Sequence, residues 1–309
     1  MNAGAALAAR LVIWHISDGR RGHDNQCQGL VEALQQLRPC NYYKINHSPL
    51  PRLLSSVLRR RYPANDSLPD PDLIIGAGHD THASILCAKL IRGGRTVVLM
   101  QPSLPVTWFD LCLIPAHDKP RAAPKTIITE GALTGIAPGG AHDPGAGLML
   151  IGGPSRHHRW DPDLLLTQIN SIADKTSSVN WLITDSPRTP TETSQTLGLV
   201  NKGNVAYVCH RELDRSWMPA QLARAGYIWI TVDSVSMIYE ALTAGAAVGL
   251  LEVPVRRRHR ITQIPVQLQS RKMVTLYQDW DRGAPLTKPA TVLNESARCA
   301  EILLRKFAL

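Results

Sequence analysis

Residues Leu11 to Leu37 read LVIWHISDGRRGHDNQCQGLVEALQQL: an apolar run, a turn holding two glycines, two arginines and a histidine, then a helical pattern. A continuous apolar run of strand length that passes through a tight turn into a helix is the repeating unit of a parallel sheet covered on both faces. The unit recurs. NYYKIN, PLPRLLSSVLRRR, DLIIGAG, THASILCAKLI, TVVLMQ, DLCLIPA and KTIITE alternate strand-like and helix-like segments through the first half of the chain. The breaker-rich passage GIAPGGAHDPGAG, Gly135 to Gly147, reads as an interdomain linker. The same alternation then restarts with LMLIGGP, a helix from Asp161, VNWLITDS, a helix from Pro190, VAYVCH, a short helix near Ala220, YIWITVDS, a helix to Ala244, and AVGLLEV. This predicts an α/β fold of two Rossmann-like lobes facing a cleft. The lobes are expected over residues 1–140 and 147–288, and residues 289–309 form a final helix, patterned from Thr291 to Phe307, that is a candidate to pack back on the first lobe.

Composition narrows the partners. At 309 residues and 44% hydrophobic, the chain can build two cores. A net charge of +9 favours anionic partners such as nucleotides, acidic glycans or an anionic membrane face. Nucleic acid is set aside, since aromatics are 5% and none interleaves with the basic runs. Six scattered cysteines without a CxxC pair speak against a zinc site or a disulfide framework and for reduced thiols in the cytoplasm. The opening MNAGAALAARLVIWHIS is interrupted by Arg10 and reads as a lead-in to the first strand rather than a signal peptide. No run reaches the length of a spanning helix, so membrane contact is expected to be peripheral.

Ligands of open α/β sheets gather beyond the carboxyl ends of strands, where helix N-termini favour anions. Four loops lie at such places. In the first, Gly19 and Gly22 permit a tight turn and His23 stands at the helix start, with an intrinsic pKa suited to general-base work. A capping turn with a solvated histidine explains the same residues equally well. The second, LIGGPSRHHRWDPD, offers Gly152, Gly153, Ser155 and Arg156 as donors to a diphosphate, ahead of a helix capped by Asp161 with Pro162 at its first position. His157 and His158 have no acid or thiol spaced to complete a metal site. In the third, LITDSPRTPTE, a capping box from Thr189 to Glu192 with Pro190 at the first helical position leaves Ser186 and Arg188 for a ligand. The fourth, ITVDSVSMIYEALTAG, sets Asp233, Ser236 and Glu240 on one helical face, with Ser234 or Asp233 as N-cap. A carboxylate one turn below a helix N-terminus is placed to accept from two ribose hydroxyls.

In order and spacing, DGRRGHDNQ, IGGPSRHHRWD, TDSPRTP and TVDSVSMIYEA resemble the mitochondrial-fission-protein-like (ELM-type) family of glycosyltransferases across nearly the whole chain. More distantly the layout is similar to GT-B glycosyltransferases such as those adding N-acetylglucosamine to lipid I. The resemblance implies a GT-B fold, with His23 as base and Gly19, Arg20, Arg21, Gly22, Asn25, Gln26 and His79 on the acceptor side. It implies a nucleotide-sugar site comprising Gly152, Gly153, Ser155, Arg156, Ser186, Arg188, Asp233, Ser234, Ser236, Met237 and Glu240. It also implies inverting transfer to a cell-envelope glycan or lipid-linked acceptor, such as the lipopolysaccharide outer core, at the cytoplasmic face of the inner membrane. Backbone donors at Gly153 and Ser155, with Arg156 or Arg188, would steady the leaving diphosphate, so no metal and no cofactor is required.

His79 and His82 are further candidates for an acceptor pocket, and Arg59 to Arg61 and Arg256 to Arg260 for docking on an anionic leaflet. A nicotinamide-dependent reaction is excluded: Gly76-Ala77-Gly78 lacks the third glycine of the dinucleotide fingerprint, and no Tyr-x-x-x-Lys occurs. Two other readings remain. One is a membrane-associated adaptor on a GT-B scaffold, as in mitochondrial fission. The other is a hydrolase or non-hydrolysing epimerase, for which more acid than Asp18 and Asp24 is expected near the first-lobe mouth.

Overall fold

The computed structural model describes residues 10–63 and 67–309. The lead-in before Arg10 lies outside them. The chain forms two compact units, Met1–Gly135 with Glu295–Leu309, and Ile136–Asn294.

In the first unit, β1 (Leu11–Ser17), β2 (Cys40–Asn46), β3 (Leu73–Ala77), β4 (Arg95–Leu99), β5 (Leu111–Pro115) and β6 (Thr126–Thr129) form one sheet in the order β2-β1-β3-β4-β5-β6. Every pairing is parallel. Because both faces are covered, β1 is apolar on both. Leu11 and Ile13 pack with Leu30 and Leu34 of α1 (Arg21–Leu37), whereas Trp14 and Ile16 pack with Leu53 of α2 (Leu50–Arg59) and Ile85 of α3 (His82–Arg92). The sheet order reverses between β1 and β3, so the turns after these two strands flank the switch point at which open sheets hold ligands.

The second unit holds β7 (Asp143–Leu150), α4 (Pro162–Lys175), β8 (Asn180–Thr184), α5 (Thr191–Gly198), β9 (Val205–Val208), α6 (Trp217–Arg224), β10 (Ala225–Thr231), α7 (Val235–Ala244), β11 (Ala247–Leu251), α8 (Ile264–Ser270), β12 (Thr275–Leu276) and α9 (Tyr277–Asp281). Its sheet order, β12-β11-β10-β7-β8-β9, is that of a dinucleotide-type fold with the switch point between β7 and β10. Leu148 and Leu150 pack on Ile238 and Leu242 of α7, and Met149 and Ile151 on Leu165 and Ile169 of α4.

Three expectations are corrected. The stretch read as a linker is part of the second unit: β7 begins at Asp143, paired with Ala225, and Ile136 packs on the core. Its glycines serve close packing, since a Cβ on Gly147 would lie 2.3 Å from the Trp181 indole and one on Gly140 would lie 2.1 Å from the Ala223 carbonyl oxygen. The last helix, α10 (Glu295–Phe307), starts four residues later than its pattern because Leu293 is drawn into the second unit's core and Val292 against Gly245. Cys299, Ala300 and Leu303 of α10 join the first unit's core, and the Ser296 hydroxyl donates to the Thr134 carbonyl at 2.7 Å. Finally, no capping box forms at α5; Pro190 flanks it, and the Thr189 hydroxyl instead accepts from the Ser186 N–H at 2.9 Å and donates to the Gly152 carbonyl, tying two loops together.

Candidate functional site

The first unit's site grows from the end of β1. Ser17 Oγ accepts from the Gly19 N–H at 3.0 Å and donates to Asp24 at 2.6 Å, while Gly19 turns the chain at φ +79°. The turn aims Asp18 back at the first turn of α1, where its Oδ2 lies 2.7 Å from His23 Nδ1. The Asp18 side chain is fully buried, and that of His23 is 17% exposed. A carboxylate can only accept, so Nδ1 carries a proton, and in the neutral ring the lone pair is therefore on Nε2. Such a pair has the geometry that general-base chemistry uses, a ring nitrogen oriented by a buried acid.

Gly78, after β3, lies against this pair at φ +85°; a Cβ there would sit 2.5 Å from His23 Nδ1 and 2.7 Å from Asp18 Oδ2. Next to it Asp80 accepts from Arg20 Nη2 at 3.3 Å and lies 3.0 Å from Nε2 of the exposed His79. Gln26 reaches the Gly22 carbonyl, and Arg21 and Asn25 are exposed.

Asp24 is committed elsewhere, to Lys44 at 2.7 Å and to Ser17, with Nε2 of the buried His15 at 3.4 Å. Burial alone would raise its pKa, but Lys44, Ser17 and His15 together hold the carboxyl below its ordinary value. Burial pushes His15 down to about 4, which keeps it neutral. Of the histidine pair expected at an acceptor pocket, only His79 is at the surface. His82 is buried against Phe109 with Nδ1 3.2 Å from Ser103 Oγ, because it begins the inward face of α3.

The second unit's site lies at the ends of β7 and β10. The Gly152 N–H donates to Thr231 Oγ1 at 2.8 Å and the Gly153 N–H to Asp233 Oδ2 at 3.1 Å. The Ser155 N–H donates to the His158 carbonyl at 3.3 Å, and Ser155 Oγ accepts from the N–H groups of His157 and His158. The amides of Gly153 and Ser155 are therefore not free for a diphosphate as expected; they close the loop on itself. Arg188 is likewise engaged, donating to Asp233 at 2.7 Å, to Ser234 Oγ at 2.6 Å and to the Gly153 carbonyl at 3.2 Å. Ser186 closes its own turn, 3.1 Å from Thr189 Oγ1. Arg156 and Ser236 are exposed.

The open donors are the first amides of α7. Ser234 flanks this helix without capping it through its side chain, and the first return bond is Ile238 N–H to the Ser234 carbonyl. One turn below Ser236 stands Glu240, partly exposed and, among the described residues, without a hydrogen-bond or ion-pair partner. Burial pushes its carboxyl up to about 7. Met237 packs on the core beneath. Asp233 Oδ1, buried and, among the described residues, unpaired, adds a second acceptor without a donor.

The profile of the mitochondrial fission ELM1 family matches residues 21–307. The chain belongs to this family. Another protein similar to this ELM1-family chain is the uncharacterized protein RP120 of Rickettsia prowazekii, 26% identical over 369 residues that span 96% of this chain and 98% of that one. Among solved structures, one described as a UDP-N-acetylglucosamine 2-epimerase of Listeria monocytogenes superposes with a TM-score of 0.56 at 12% identity, covering 97% of each chain. A glycosyltransferase of Rickettsia africae superposes with a TM-score of 0.50 at 10% identity over 97% of this chain and 99% of that one. These likenesses show that the ELM1-family chain has the GT-B fold. None of its helices, among the described residues, is long and apolar enough to cross a membrane.

The sequence missed the pairing of Asp18 with His23, the place of Gly78 and Asp80 beside them, and the use of Arg188 as an internal brace. Only the DxxxxH spacing in the first turn hints at the first of these.

Proposed function

We propose that the protein is a nucleotide-sugar-dependent glycosyltransferase. The second unit binds the donor and the first supplies the base. The observation that carries this reading is the unpartnered Glu240 carboxyl one turn below the uncapped N-terminus of α7. A diphosphate takes the free amides and the helix dipole, and two ribose hydroxyls donate to Glu240. The name of the Listeria relative, with its UDP-N-acetylglucosamine, supports a nucleotide sugar as ligand.

Nε2 of His23 takes the proton of an acceptor hydroxyl as that oxygen attacks the anomeric carbon, and the nucleoside diphosphate leaves. A single displacement inverts the configuration. Asp18 stabilises the imidazolium that forms. Proton transfer and displacement by an oxygen nucleophile need no redox cofactor.

The acceptor in this reading is a lipid-linked or cell-envelope glycan, met at an anionic membrane surface. Supporting it is α2, whose Leu50, Leu54 and Leu58 recur every four residues and are 64%, 69% and 87% exposed, with Arg52, Arg59 and Arg60 around them.

The test is a thermal-shift series with UDP, GDP, ADP, CDP and CMP on the wild type and Glu240→Ala. Stabilisation by one nucleotide, lost in the variant, supports the donor site and names the donor class. No shift with any of them favours the adaptor reading. Proton NMR of the nucleotide sugar incubated alone then separates transfer, which leaves it unchanged, from hydrolysis or epimerisation.

A further inference from the structure

Parallel pairing of β8 with β9 places Thr184 opposite Val208, so the residues that follow the two strands, Asp185 and Cys209, come out side by side at the carboxyl edge of the second sheet. His210 follows Cys209. The carboxylate, the thiol and the imidazole each bring one ligand atom to a cluster in which all three lie within 4.8 Å of one another. They line a cavity of about 310 Å³ shared with Thr189, Ser194 and Tyr207.

Asp185 is seated before any ligand arrives. Its Oδ2 accepts from Ser194 Oγ at 2.5 Å, and its Oδ1 accepts from the His210 backbone N–H at 2.7 Å and lies 2.9 Å from His210 Nδ1. The Asp185 side chain is 1% exposed and that of His210 is 22% exposed, so the acid forms the floor and the ring faces the opening. Oxygen, nitrogen and sulfur donors together suit a borderline-soft divalent ion rather than magnesium or calcium, which prefer oxygen alone.

We propose that Asp185, Cys209 and His210 bind a zinc-class divalent ion, with its remaining coordination position turned toward the cavity. Three protein ligands beside an open cavity leave room for a water or a ligand atom as the fourth. Cys209 binds as thiolate, so its proton is released to solvent as the sulfur–metal bond forms. The proposal departs from the expectation, drawn from the scattered cysteines and from His157 and His158, that the chain has no metal site. His157 and His158, adjacent in sequence, take no part: His157 stacks on His259 and His158 is buried beside Ser155. The residues that do converge are separated by some two dozen positions and are united by strand register. The ion is independent of the nucleotide reading, since Glu240 is not among its ligands.

The experiment is a Co²⁺ titration of the untagged full chain, followed by competition with Zn²⁺. One equivalent should bind with a near-ultraviolet thiolate-to-cobalt band, be displaced by Zn²⁺, and release a proton detectable in buffers of different ionisation enthalpy. Cys209→Ser should abolish the band and weaken Zn²⁺ binding by about tenfold or more. His210→Gln should weaken it similarly, with circular dichroism confirming that both variants fold. Cys40→Ser, at a half-buried cysteine away from the cluster, should change nothing. Absence of a stoichiometric band in the wild type, or a band that persists in Cys209→Ser, overturns the proposal.

Discussion

The Asp18 carboxylate, fully buried, lies 2.7 Å from His23 Nδ1 and so fixes which ring nitrogen holds the proton. Asp18→Asn presents an amide that no longer enforces this tautomer. In the proposed transfer reaction, kcat should fall by about 100-fold or more, with the donor KM little changed. His23→Ala should cost as much, and the double variant little more than either alone, because the pair acts as a unit. Steady-state kinetics of the four proteins checks this; additive losses would separate Asp18 from the base.

Gly78 makes room for that pair. Gly78→Ala sets a Cβ 2.5 Å from His23 Nδ1 at a φ of +85°, so it should lower stability by about 1–3 kcal/mol and disturb the base. Gly22→Ala is the control, since a Cβ there meets nothing within 4 Å in the first turn of α1. It should change the melting temperature little. Equal effects of the two would contradict the packing described.

Glu240 links pH to stability and, in the proposed function, to nucleotide binding. Its carboxyl, raised by burial from an ordinary 4.5 to about 7, keeps a proton in the folded state that the unfolded chain has released between those values. Stability therefore falls as pH rises through this window and levels off above about pH 7. Glu240→Gln should stabilise the protein at pH 8 by up to about 3 kcal/mol, from about 1.4 kcal/mol per pKa unit, and have little effect at pH 4.5. Nucleotide affinity should show the opposite trend, tightening with pH more steeply in the wild type than in Glu240→Gln, where the nucleotide's own terminal phosphate, with a second pKa of about 6, still titrates. Melting curves and calorimetric titrations across pH 4.5 to 8 read both.

The Gly153 turn is closed against Arg188, whose carbonyl oxygen would lie 2.1 Å from an added Cβ. Gly153→Ala should cost about 1–3 kcal/mol by overpacking and loosen the brace between Arg188 and Asp233. A melting temperature equal to that of the wild type would show that these loops move apart freely.

On α2, Leu54→Ser with Leu58→Ser should leave the melting temperature unchanged, since both side chains are mostly exposed. Co-sedimentation with phosphatidylglycerol vesicles should drop sharply. Wild-type binding to these vesicles should itself weaken with salt and be slight on neutral phosphatidylcholine. Equal sedimentation of wild type and variant would remove α2 as the membrane-facing element.

Much of the architecture was readable from neighbouring residues. The apolar run of β1 followed by the α1 pattern announced a parallel, doubly covered sheet, and Asp161 with Pro162 announced the start of α4, where Asp161 indeed accepts from the Leu164 N–H. Such features depend on side chains a few positions apart, and the geometry of strand and helix is the same wherever they occur. Partner choice was a different matter. In the sequence Gly152 and Gly153 look like open phosphate donors, but their N–H groups donate to Thr231 and Asp233, some eighty residues away. Thr189 has the pattern of a cap, but its hydroxyl donates to the Gly152 carbonyl. Asp185 and Cys209 carried no joint signal at all until strand register put them side by side. A buried polar group must be satisfied by whatever lies within about 3 Å of it. Sheet order and register, which depend on the packing of the whole core, decide what that is.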